Sequence, residues 1–110
     1  MALSHAKSGD LVNIQDAAAE FSKNTSVTLV RDEHIEIFRL VLSAGTDMQE
    51  HSAAGAMTVQ CLRGEVNFSC HDRTQTLLPG ALIYLNNAAP HALHCRQDAT
   101  LLVTLFLNRK

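Results

Sequence analysis

The chain has no tryptophan, one tyrosine and two prolines among its 110 residues. Its nine lysines and arginines are scattered singly except for Arg109 and Lys110, and its formal net charge is −2. Proteins that bind nucleic acid ordinarily present basic stripes and aromatic platforms, so this composition argues against a nucleic-acid partner. Acidic runs are absent as well, and therefore no strongly charged partner is indicated.

Long apolar runs are also missing, and none approaches the roughly 20 residues that a membrane-spanning helix needs. The opening residues MALSHAKSGD lack a basic segment followed by an apolar stretch, so we expect no signal peptide and no membrane association. The three cysteines, Cys61, Cys70 and Cys95, cannot all pair within the chain, and none stands in a C-x-x-C arrangement. We interpret them as small buried side chains of a cytoplasmic protein.

Hydrophobic residues make up 46% of the chain and charged residues 18%, which is typical of a globular protein. The length predicts one domain, spanning residues 1–110, with no room for a second core. A domain of this size is only marginally able to bury its apolar side chains alone. We therefore expect a homodimer that covers one face of a sheet.

Residues 1–25 are predicted to form an N-terminal arm with one short helix at Ile14–Phe21, where three consecutive alanines favour helix. From Ser26 onward the hydrophobic pattern has a period of two, which is typical of strands. The absence of a second helical segment excludes a parallel α/β sheet, and an all-β sandwich or barrel is predicted. About eight short strands are expected, within segments 26–31, 34–43, 56–64, 65–72, 74–80, 81–87, 91–98 and 99–108. Residues 44–49 are expected to form a loop that contains Gly45, and residues 71–73 the tip of a hairpin.

Two histidines occupy comparable places where a loop leads into a strand. His51 follows Gly45 after five residues, and His91 follows Pro90 at the end of a segment that begins at Gly80. Histidine is the commonest metal ligand in proteins because its neutral imidazole is a good nitrogen donor. Both are therefore candidate site residues, although a single histidine of this kind is more often a hydrogen-bonded residue of the barrel wall.

Residues 45–64 resemble the first motif of the cupin superfamily, whose members are β-barrels of the double-stranded β-helix, or jelly-roll, type. That motif reads G-x5-H-x-H-x3,4-E-x6-G, and Gly45, His51 and Gly64 stand at its first, second and last fixed positions. Ala53 replaces the second histidine of the motif. The resemblance implies an all-β cupin barrel.

Residues 80–95 resemble the second cupin motif, G-x5-P-x-G-x2-H-x3-N, in length. Gly80 and His91 are retained, and Cys95 stands at the final position. Fifteen residues separate the two motifs, which is the short gap of small single-domain cupins. The resemblance extends from about Ser26 to the C-terminus, with the arm preceding it.

The resemblance also implies a metal site, but one that lacks two of its four ligands. By correspondence with metal-binding cupins, His51 and His91 match the first and last ligands, whereas Ala53 and Met57 stand where a histidine and an acid are expected. A thioether is a poor ligand for hard or borderline cations, although it is acceptable to copper(I). Metal sites normally have three or four protein ligands, so the predicted site is incomplete.

Strand alternation predicts which side chains share a pocket with the two histidines. An inward His91 places Leu93 and Cys95 on the same face, and the same argument applies to the row that begins at Met57. Cys95 is therefore the candidate third metal ligand, although a cysteine that merely fills space is the alternative. The predicted pocket residues are Phe38, Met57, Val59, Cys61, Leu93 and Cys95.

Three functions remain open on these residues. The first is the binding of a small molecule inside the barrel without an obligatory metal, and the incomplete ligand set favours it. The second is a metal-dependent enzyme of the dioxygenase or isomerase type, in which His51 and His91 hold one divalent ion of iron, manganese, nickel, copper or zinc. The third is metal-free acid–base catalysis by one of these histidines.

Overall fold

The computed structural model describes residues 5–15 and 24–107, and all its regular structure there is strand. The predicted helix at Ile14–Phe21 lies largely outside the described residues. No helix in the described part is long and apolar enough to cross a membrane. The seven strands are β1 (Thr25–Arg31), β2 (Ile35–Leu42), β3 (Asp47–His51), β4 (Met57–Cys70), β5 (Arg73–Leu77), β6 (Leu82–Leu85) and β7 (His91–Phe106).

The strands form two layers that share the two longest strands, β4 and β7, which pair antiparallel along most of their length. Residues 57–61 of β4 and 99–106 of β7 belong to a first layer with the order β1-β2-β7-β4-β6. Residues 66–70 of β4 and 91–95 of β7 belong to a second layer with the order β3-β7-β4-β5. This is the architecture of a jelly-roll barrel, and the predicted all-β class is confirmed.

A bend in each long strand carries it from one layer into the other. The pairing of β4 with β7 shifts register three times between Cys61 and Val66. Gly64 lies within this stretch at φ 82°, and a Cβ there would collide with the backbone of Asp98 and Ala99. Glycine permits both the backbone conformation and the close approach, so the strand bends instead of ending.

This bend explains why the predicted count of eight strands is wrong. The predicted segments 56–64 and 65–72 form the single strand β4, and the segments 91–98 and 99–108 form the single strand β7. In turn, Asp47–His51 forms β3, although most of it is predicted as a loop. Gly64 and Asp98, at which two of the predicted segments end, therefore lie within β4 and β7 and do not end them.

The core lies between the two layers and is built from alternate residues of each strand. Along β4, Val59, Cys61, Val66 and Phe68 are at most 2% exposed. Full burial of a side chain of this kind stabilises the fold by about 1.5–3 kcal/mol. The regular alternation fixes which side chains face the interior and therefore which can line a cavity.

Candidate active site

The pairing of β3 with β7 brings the two candidate histidines together. His51 is the Cα partner of His91 in this antiparallel pair, and partners in such a pair point to the same side of the sheet. Their ring centres are 4.3 Å apart and their planes are tilted by 59°. Two residues that are 40 positions apart in the sequence thus form one site.

A strained turn before β7 places His91. Asn87 and Ala88 both have positive φ, at 37° and 59°, and asparagine tolerates this conformation better than most residues. The amide of Ala88 donates to the carbonyl of Gly55 at 3.2 Å, which ties this turn to the loop that follows His51. A backbone hydrogen bond therefore holds the turn before His91 against the loop after His51.

Each imidazole is oriented by a carbonyl two residues before it. Nδ1 of His51 lies 2.9 Å from the carbonyl oxygen of Gln49, and Nδ1 of His91 lies 3.0 Å from that of Ala89. A carbonyl oxygen only accepts hydrogen bonds, so Nδ1 carries the hydrogen in both rings. In the neutral rings Nε2 therefore keeps its lone pair.

Both rings line a cavity of about 240 Å³ between the two layers. Among the described residues that line it, only Ser26, His51 and His91 have side-chain nitrogen or oxygen atoms. Phe68 stacks on His91 with ring centres 5.6 Å apart and planes 8° apart. The remaining lining residues are Phe38, Leu40, Met48, Met57, Val59, Leu93, Leu101 and Val103.

The two histidines differ in burial and therefore in electrostatic environment. His51 is exposed at the opening of the cavity, whereas His91 is 4% exposed. Burial lowers the pKa of His91, and a charge on the neighbouring His51 lowers it further, although the hydrogen bond to Ala89 acts in the opposite direction. His91 is accordingly neutral at physiological pH.

Four of the six predicted pocket residues line the cavity with the histidines: Phe38, Met57, Val59 and Leu93. Cys61 and Cys95 do not line it, although both are fully buried. The thiol of Cys95 donates to the carbonyl of Gln97 at 3.0 Å, farther along the barrel. Alternation predicts the inward direction of these side chains, but not how far along the barrel the cavity extends.

Cys95 therefore does not complete a site with the two histidines. It does not line the cavity that holds the two rings, and burial, followed by the charge of Asp98, raises the pKa of its thiol. Cys95 is a buried space-filling residue in this structure. The alternative given above for Cys95 is the one that fits its contacts.

Phe68 and Met48 are lining residues that the sequence argument missed. Phe68 lies opposite Leu93 in the pairing of β4 with β7, and the alternation of Val66 with Phe68 is a signal that could have found it. Met48 lies in β3, whose start is predicted as a loop, so its inward direction had no such signal. Ser26, Leu40, Leu101 and Val103 of the first layer also line the cavity and were not predicted.

The geometry of the two rings resembles that of metal ligands, but the rest of the cavity does not. Their centres are 4.3 Å apart, so the two rings are close enough for both to reach one ion, to which an imidazole nitrogen binds at about 2.0–2.1 Å. Among the described residues, however, no group of three or more His, Cys, Asp or Glu side chains is placed to hold an ion. Two imidazoles among apolar and thioether side chains do not fit a divalent iron, manganese, nickel or zinc site.

Comparison with solved structures identifies the fold of this chain, whereas comparison of its sequence with known proteins does not. No family model matches the sequence, and a search of curated proteins finds no match. Solved structures match strongly, and those with the greatest coverage include small cupin and RmlC-like cupin proteins. The chain therefore has the cupin fold, and the resemblance in its motifs is confirmed at the level of the fold.

The matching structures range from small uncharacterised proteins to enzymes. A conserved protein of unknown function from Streptococcus pyogenes has a TM-score of 0.82 at 20% identity, over 100% of this chain and 97% of that chain. A cupin superfamily protein from Desulfitobacterium hafniense has a TM-score of 0.81 at 16% identity, over 98% and 99%. A salicylate 1,2-dioxygenase mutant from Pseudoaminobacter salicylatoxidans has a TM-score of 0.67 at 14% identity, over 74% of this chain and 25% of that chain.

Proposed function

We propose that this protein binds a small, largely apolar molecule in the barrel, with His51 and His91 as the polar anchor and without a resident metal ion. The observation that carries the proposal is the cavity of about 240 Å³, apolar except at the two histidines and Ser26. Small-molecule sites commonly combine an apolar lining with a few polar groups that set the orientation. A jelly roll of this size encloses such a site between its layers.

The cavity volume sets the size of the ligand. An apolar cavity of roughly 150 Å³ holds a benzene molecule, so about 240 Å³ accommodates one substituted ring. Structures of the same fold include a dioxygenase named for salicylate, in one case in complex with gentisate. Both compounds have a single ring, which supports this size class.

A metal-dependent enzyme of the dioxygenase or isomerase type is the second candidate. The side-by-side arrangement of His51 and His91, with Nδ1 of each ring on a backbone carbonyl, favours it. It ranks below metal-free binding because Met57 and apolar side chains occupy the rest of the lining. One metal per chain, iron, manganese, nickel, copper or zinc, would be required for that reaction class.

Elemental analysis separates the two candidates. The full chain, purified without a histidine tag, is incubated with each of the five metals and desalted, in parallel with the His51→Ala/His91→Ala double variant. We expect far less than one metal per chain in both proteins, because two imidazoles alone bind an ion weakly. One metal per chain that disappears in the double variant would overturn the proposal in favour of the enzyme.

The expected homodimer is also a proposal, and the outer face of the first layer is its interface. Leu82, Tyr84 and Phe106 are 56%, 62% and 47% exposed. Tyr84 and Thr104 both pair with Thr58, so their side chains lie on the same face of the layer. Phe106 is two residues from Thr104 in the same strand and therefore points to that face as well. A second copy that covers this face would bury these side chains.

The three free, buried cysteines support a reducing compartment, such as the cytoplasm.

A further inference from the structure

The two histidines present hydrogen-bond acceptors and no donors to the cavity. Nδ1–H of each ring is used by the carbonyl of Gln49 or Ala89. The nitrogen left over is Nε2, which in a neutral imidazole accepts a hydrogen bond and cannot donate one. At this end of the cavity the two histidines therefore favour ligand groups that donate hydrogen bonds.

The two acceptors cannot satisfy each other. Neither Nε2 carries a hydrogen, so the neutral rings cannot form a hydrogen bond between them, although their centres are only 4.3 Å apart. The side chains around them are apolar or thioether, and Ser26 is the remaining lining residue with a hydroxyl. A ligand with hydrogen-bond donors would satisfy the Nε2 lone pairs of both histidines, for which the lining residues offer few other donors.

We infer that the ligand class is an uncharged single-ring molecule with one or two adjacent hydroxyl groups, of the phenol or catechol type, whose hydroxyls donate to Nε2 of His51 and His91. This inference rests on the proposed function, because it assigns the chemistry of the molecule that fills the same cavity. The ring lies among Phe38, Phe68 and the aliphatic side chains. One hydroxyl satisfies one imidazole, and a second adjacent hydroxyl satisfies its neighbour.

The same geometry disfavours two related classes of molecule. An ether of the same shape has acceptors only, so its oxygen faces an Nε2 lone pair without a hydrogen between them. A carboxylate would enter a largely apolar cavity as an unpaired anion, which costs several kcal/mol or more. The site therefore selects a hydroxyl compound over an ether or a carboxylate of similar size by its hydrogen-bond donors and not by its shape.

Binding of matched ring compounds tests the inference. The probes are catechol, phenol, anisole, 1,2-dimethoxybenzene and benzoate, titrated into the full chain by calorimetry at pH 8 with EDTA present. Histidine side chains are ordinarily neutral at this pH, and EDTA removes adventitious metal. We expect catechol to bind at least about tenfold more tightly than 1,2-dimethoxybenzene, and phenol about five- to tenfold more tightly than anisole.

A pair of variants assigns the effect to the site. His51→Phe keeps a ring at the opening of the cavity but removes its acceptor, and it should weaken catechol binding about five- to tenfold without weakening the binding of anisole, which has no hydrogen to donate. His94→Phe is the matched control. His94 lies in β7, the strand that carries His91, and its side chain is 48% exposed and hydrogen-bonded to Asp47 outside the cavity. Catechol affinity should be unchanged in that control.

The outcomes separate this inference from the proposed function. Equal affinity for hydroxyls and ethers, tightest binding of benzoate, or catechol binding that appears only without EDTA would overturn the hydroxyl inference. With equal affinity for hydroxyls and ethers, the cavity would still be a binding site. Failure of every ring compound to bind at millimolar concentration would overturn the proposed function itself.

Discussion

His91 combines three constraints in a single side chain. Its ring stacks on Phe68, its Nδ1 donates to a backbone carbonyl, and it is buried beside a second histidine. A neutral imidazole meets all three at little cost, whereas none of the described residues that line the cavity is a carboxylate that could balance a buried imidazolium. The side chain is therefore suited to bind a neutral partner and poorly suited to carry charge.

The depressed pKa of His91 predicts an acid-sensitive contribution to stability. Below about pH 6.5 the unfolded chain binds a proton at this position that the folded chain resists, so the free energy of unfolding falls as pH falls. Above that pH both states are neutral and the contribution is constant. Urea unfolding between pH 7.5 and 5.5 should therefore show a steeper loss of stability in the wild type than in His91→Phe.

The other histidines are the same in both proteins, so the difference between the two curves isolates position 91. Parallel curves across this pH range would show that His91 titrates alike in the folded and unfolded chains. That result would contradict the burial of its ring.

At the scale of elements, the site depends on strands that pass from one layer to the other. β4 contributes Met57 and Val59 to the cavity from the first layer and Phe68 from the second. The bend between them brings distant parts of one strand to the same cavity. Gly64 is the position where this bend leaves no room for a side chain.

Gly64→Ala should therefore destabilise the protein severely. The added Cβ would be strained at φ 82° and would also meet the backbone at Asp98 and Ala99, which cannot move as a flexible side chain could. We expect a loss of more than about 4 kcal/mol in the free energy of unfolding, or failure to fold.

Gly80→Ala is the matched control for this prediction. Gly80 has φ 97°, but a Cβ there meets nothing within 4 Å, so the loss should be only about 1–3 kcal/mol from backbone strain. Urea unfolding of the two variants provides the comparison. Similar losses at both positions would show that the close approach at Gly64 adds nothing.

At the scale of the whole molecule, the outer face of the first layer remains partly apolar. Tyr84 and Leu82 lie in β6 at the edge of that layer, and both are more than half exposed. Contiguous exposed apolar patches commonly mark interaction sites. In a chain with a net charge of only −2, charge repulsion between two copies is small.

The proposed dimer predicts that charges on this face will separate the copies. Leu82→Asp/Tyr84→Asp should convert a dimer to a monomer, because two carboxylates would be buried without partners. Sedimentation velocity at micromolar concentration measures this change. Leu11→Asp, at a fully exposed apolar residue of the N-terminal arm, should leave the dimer intact. A wild-type protein that is monomeric at these concentrations would contradict the proposal.

Much of the barrel could be predicted because local chemistry determines it. The period-two pattern from Ser26 onward, the turn at His71 and Asp72, and the spacing around His51 and His91 each depend on residues close together in the sequence. The turn is an example, since two residues at positive φ join β4 to β5 where a hairpin is expected. The inward direction of Met57, Val59 and Leu93 follows from the same alternation.

Which of the inward-facing residues line the cavity was decided only by the tertiary structure. Whether β4 ends or bends at Gly64 depends on the backbone of Asp98, which no local pattern reveals. Likewise, Cys95 and Leu93 point inward alike, yet only Leu93 lines the cavity, because Cys95 lies two residues farther along β7. The sequence by itself determined the strands and the two histidines, since those follow from neighbouring residues. Only the packing of the two layers determined the cavity and the pairing of the rings, since those depend on contacts between distant strands.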